Sequence, residues 1–86
     1  MEGLAVTPEG VRLSAFYAVG EGYVVRVYES AGETTAAEVR LPFTVGEARN
    51  VDFNLEEVGG KVEVTGKSVR VKLRAWEIAT VVVKAG

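Results

Sequence analysis

The chain has 86 residues, 10 Lys+Arg against 12 Asp+Glu for a formal net charge of −2, and neither cysteine nor histidine. Those absences exclude, within this chain, a disulfide framework, a zinc site built on thiolate or imidazole, and a serine or cysteine triad. The two signs of charge are interspersed with no basic block able to follow a phosphate backbone, so nucleic acid is not an expected partner.

A composition of 48% hydrophobic and 26% charged residues is that of a folded chain. Its length suits one domain, residues 1–86, with a single modest core; a chain this short buries about 60 to 65% of the surface exposed when unfolded. Apolar runs are short, as at Val81 to Val83, and no basic region precedes an apolar stretch at the N-terminus. No membrane span or signal peptide is expected, and the cytoplasm is the expected location.

Leu4-Ala5-Val6 is a short candidate edge strand, followed by turn punctuation at Thr7-Pro8-Glu9-Gly10. Alternation from Val11 to about Ala18 sets Val11, Leu13 and Ala15 against Arg12, Ser14 and Phe16. Gly20-Glu21-Gly22 then turns the chain into Tyr23 to Glu29, and the two strands should form a hairpin. In this second strand Tyr23, Val25 and Val27 oppose Val24, Arg26 and Tyr28, so both faces are largely apolar and both should be covered. Arg26 is the exception. A guanidinium there must reach water or a carboxylate.

Thr35 to Leu41 alternates cleanly until Pro42, which cannot donate to a ladder, and Phe43 is expected to turn inward. Val45 to Phe53 reads as a strand with poorer register, since Gly46 and Asn50 suggest a bulge or an edge. Asn54 to Gly60 is a loop. Lys61 to Thr65 and Ser68 to Arg74 form a hairpin around Gly66-Lys67, with Val62, Val64, Val69, Val71 and Leu73 inward. Ala75-Trp76 is a break before the last strand, Glu77 to Lys84, which is apolar on both faces and therefore central. Seven or eight short strands with regular turns and no useful helical periodicity predict an all-β fold, a small antiparallel β-sandwich.

Chemistry-bearing candidates are few. Asp52, Glu56 and Glu57 cluster near one loop; such acids could flank a glycoside or hold a weak calcium ion, but without a cleft or an EF-hand spacing they read as a solvated loop. The glycines form no nucleotide-binding fingerprint. Phe16, Phe43, Phe53, Tyr28 and Trp76 are expected in the core, because aromatics dominate small cores. Tyr17 and Tyr23, beside the Gly20 turn, are the candidates for an interface or for stacking on a sugar ring.

Three segments, in order across about Leu13 to Lys84, resemble the C-terminal β-sandwich domain of glycoside hydrolase family 38 α-mannosidases. They are LSAFYAVGEGYVVRVYESAG from Leu13 to Gly32, VDFNLEE from Val51 to Glu57, and AWEIATV from Ala75 to Val81. The chain departs from the family pattern at Tyr17, where a lysine is usual, near Glu29 and Ser30, where an asparagine is usual, and at Ala75, where a proline precedes the aromatic. The resemblance implies hydrolysis of α-mannosides by a zinc-bearing catalytic domain that precedes this one and is absent from the chain. With no histidine and a single aspartate, no catalytic residue, cofactor-binding residue or metal ligand carries over. What it implies here is a non-catalytic accessory domain, not itself an enzyme, whose partners are the preceding domains of the same polypeptide. A carbohydrate-binding module using Tyr17 and Tyr23, or a free-standing adhesion or scaffold sandwich, are the alternatives. Because the arginine of the second strand and the glutamate of the last both match the family pattern, Arg26 is expected in a structural pair with Glu77 first and Asp52 second.

Overall fold

In the computed structural model, which describes residues 4–52 and 62–86, eight strands follow one another among the described residues. They are β1 (Ala5–Thr7), β2 (Val11–Val19), β3 (Gly22–Glu29), β4 (Thr35–Arg40), β5 (Val45–Val51), β6 (Val62–Thr65), β7 (Ser68–Leu73) and β8 (Ile78–Ala85). They form two four-stranded sheets, ordered β1-β4-β7-β6 and β2-β3-β8-β5, and every pairing is antiparallel. The expected β-sandwich is the fold, and β3 and β8 are the interior strands of their sheet.

Two of the turns follow from where glycine stands. The β2–β3 and β6–β7 hairpins each have a two-residue loop, Gly20-Glu21 and Gly66-Lys67, with the glycine at φ 54° and 59°. A left-handed first position is what a tight hairpin matching strand twist requires, and glycine adopts it without a Cβ penalty. The β6–β7 turn is then tied to the link between β4 and β5. Leu41 N–H donates to the Lys67 carbonyl at 2.7 Å and Val45 N–H to the Gly66 carbonyl at 2.9 Å.

The core between the sheets is mainly valine. Val25, Val27, Val81 and Val83 from one sheet meet Val39, Val69, Val71 and Leu73 from the other, all at most 4% exposed. Branched side chains lose little further rotamer freedom on a pleated surface and fill it well, so valine supplies both the strand preference and the packing. The aromatic residues do not fill this core as composition suggested. Phe16, Tyr23 and Phe43 pack at its margin as a stack, with ring centroids 5.5 and 5.1 Å apart. Phe43 does turn inward. Tyr28 is half-buried, Trp76 is 68% exposed, and Phe53 lies outside the described residues.

Two bulges correct the simple alternation. In β2 the register shifts between Leu13 and Ala15, so Leu13 pairs with Val27 and Ala15 with Arg26. The extra residue reverses which side chains face inward. Val11 and Phe16 both pack on the core, a combination strict period two forbids, and Leu13 is left 39% exposed. In β5 the shift falls between Val45 and Glu47, at the expected Gly46, where an added Cβ would stand 2.7 Å from the Gly86 Cα. Val64, expected inward, is 39% exposed because β6 is an edge strand.

Candidate functional site

Arg26 stands on the side of the β2-β3-β8-β5 sheet that faces away from the other sheet. There Val24, Val51 and Val82 form a second small buried cluster. The register sets Thr80, not Glu77, opposite Arg26, and the Arg26 Nε donates to the Thr80 hydroxyl at 3.1 Å. Glu77 precedes Ile78, the partner of Tyr28, and is three residues from Thr80, about 10 Å along the strand. Its carboxylate instead accepts the Arg74 N–H at 2.8 Å and closes the turn before β8. The register thus sets Thr80 rather than Glu77 beside Arg26, while Glu77, at the strand end, caps its own turn. Asp52 follows Val51, whose partner Thr80 is also the partner of Arg26. Glu56 and Glu57 lie outside the described residues.

Tyr17 and Tyr23 do not form one platform. Tyr17 pairs with Val24 on the outer face and is 45% exposed. Tyr23 points to the opposite face, packs on the main core and has Phe16 and Phe43 stacked on its ring. Adjacent hairpin positions diverge in this way because successive side chains alternate across a sheet.

The site that the structure does assemble is centred on Glu29, the last residue of β3 and 2% exposed. Its Oε1 accepts N–H bonds from Gly32 at 2.7 Å, Glu33 at 3.1 Å and Trp76 at 3.1 Å, and its Oε2 accepts one from Ala31 at 2.9 Å. Burial pushes the carboxyl pKa up, but the N–H groups of Trp76, Ala31, Gly32 and Glu33 together outweigh it and hold it below the usual glutamate value. A third loop joins at the same end, since the Ser30 N–H and hydroxyl both donate to the Gly10 carbonyl at 2.8 Å. One buried anion thus gathers the β3–β4 turn and the turn before β8, with the β1–β2 turn against them.

Trp76 is the unusual member. Its φ is 64°, a left-handed conformation that costs a bulky L-residue energy and persists only when its surroundings fix it. The bond from its N–H to Glu29 does so. Gly32, at φ 78°, is the seat of the indole, since a Cβ there would stand 2.7 Å from Trp76 Cζ2 and 3.2 Å from Cε2. Sequence reasoning missed both residues. The available signals were a glutamate closing a strand immediately before a glycine-bearing turn, and an aromatic in a two-residue break.

A zinc ion needs three or four converging nitrogen, sulphur or carboxylate ligands. The chain has no histidine or cysteine, and among the described residues no three acidic side chains converge, so these residues do not fit zinc. Thr80 and Glu29 are the buried polar side chains among the described residues. Each has its hydrogen bonds within the fold.

Fold and site together define a small two-sheet antiparallel β-sandwich domain whose buried carboxylate serves main-chain order. The glycosyl hydrolases family 38 C-terminal beta sandwich domain matches residues 12–81, well over half of the chain, and the chain belongs to that family. No curated protein and no solved structure matches it.

Proposed function

We propose that this domain is the non-catalytic C-terminal sandwich of an α-mannosidase-like glycoside hydrolase of the cytoplasm, packing on the preceding domains of the same polypeptide and stabilising them. Hydrolysis of α-mannosides, and the zinc that serves it, belong to the catalytic part of that parent. The reading rests on the family match over residues 12–81, taken with a buried carboxylate that has both oxygens bound to backbone N–H groups and so presents no free acid to a substrate. A retaining glycosidase needs two carboxyl groups about 5 Å apart across a cleft, one of them free to accept the glycosyl group.

Two measurements test it. The chain alone, incubated with an aryl α-mannoside and added zinc, gives no turnover above buffer; real turnover refutes the non-catalytic role. In the parent polypeptide, deleting this domain lowers the temperature of thermal inactivation, and an unchanged temperature refutes the stabilising role.

A further inference from the structure

We propose that Trp76 is a preformed platform for the apolar face of a pyranose ring, at the end of the sandwich where Glu29 joins the loops. Large apolar side chains are ordinarily buried, yet this indole is 68% exposed. It is also held in place. The backbone is fixed in a left-handed conformation by the N–H bond to Glu29 at 3.1 Å, and the benzenoid edge rests on Gly32. Strain retained at an exposed aromatic, maintained by a buried anion and a glycine without which the ring could not sit, is the arrangement of a binding residue ordered before its ligand arrives.

The border of the ring selects the ligand. Arg74, Glu77 and Glu33 are exposed on the two turns that carry the platform, with Ile78 beside it at 53% exposure. A sugar ring presents C–H groups to an aromatic face and hydroxyls outward, where a guanidinium can donate to them and carboxylates accept from them. The inference does not rest on the activity of the parent enzyme. It also differs from a Tyr17–Tyr23 platform, whose members face opposite sides of the sheet.

Trp76 is the sole tryptophan, so indole emission reports on this position alone. Titration of the chain with α-linked mannotriose, and separately with cellotriose, is expected to give a saturable emission change with at least one of them. Saturation-transfer NMR then shows Trp76→Ala weakening that binding by about tenfold or more, and Gly32→Ala weakening it through displacement of the ring. Tyr17→Ala leaves it unchanged. Circular dichroism on each variant confirms that the sandwich is intact. No response to either sugar overturns the proposal, as does binding that survives in folded Trp76→Ala. Emission that changes with protein concentration alone, together with a doubled sedimenting mass, also overturns it and assigns the indole to a second copy of the chain.

Discussion

The contact between Gly32 and Trp76 predicts the outcome of a substitution cycle. Gly20 and Gly66 have φ values of 54° and 59° and nothing within 4 Å of an added Cβ, so Gly20→Ala measures the left-handed penalty alone. That penalty is about 1 to 2 kcal/mol. Gly32→Ala carries the same penalty at φ 78° and in addition drives a Cβ to 2.7 Å from Trp76 Cζ2. The indole is the far end of a side chain and relieves the clash by turning away. The added cost is that of an off-rotamer ring, about 1 kcal/mol, and Gly32→Ala should total about 2 to 3 kcal/mol. For a domain of this size each kcal/mol moves the melting temperature by about 4 to 8 °C. Thermal melts followed by far-ultraviolet circular dichroism should therefore place Gly32→Ala clearly below Gly20→Ala. In a Trp76→Gly background the two costs should become equal, because the ring is gone and only the backbone term remains. If Gly32→Ala is no worse than Gly20→Ala, or if its excess cost survives in the Trp76→Gly background, the seat assigned to the indole is wrong.

Two further outcomes follow from the core and from Glu29. The folded-state pKa of Glu29 is depressed, so its contribution to stability is fully present above the unfolded-state value of about 4.3 and is lost as pH falls through the lower folded-state value. Urea midpoints measured from pH 7 down to pH 2.5 should fall more steeply for the wild type than for Glu29→Gln; parallel acid limbs would refute the assignment. Leu73 is completely buried between the sheets, and Leu73→Ala should cost about 2 to 5 kcal/mol. Leu13→Ala, at a side chain 39% exposed beside the β2 bulge, should cost under about 1 kcal/mol, and comparable losses at the two sites would contradict the marginal position of Leu13.

The sequence by itself determined the strands, the two glycine hairpins and the interior position of β3 and β8. These depend on local properties: period-two alternation, β-branched side chains, and glycine where the chain must turn tightly. The bulge at Gly46 was legible for the same reason. The β2 bulge was not, because Leu13-Ser14-Ala15 contains no residue that requires one, and only pairing with β3 shows that Phe16 rather than Ala15 faces inward. Tertiary structure alone decided the partners of the charges and the exposure of the aromatics. Matching a charged residue in one strand with one in another needs the register, and the register gave Arg26 the hydroxyl of Thr80 while Glu77 capped its own turn. Glu29 and Trp76 are 47 residues apart in the chain. Their bond depends on two turns converging at one end of the sandwich, and no local pattern in either segment specifies that convergence.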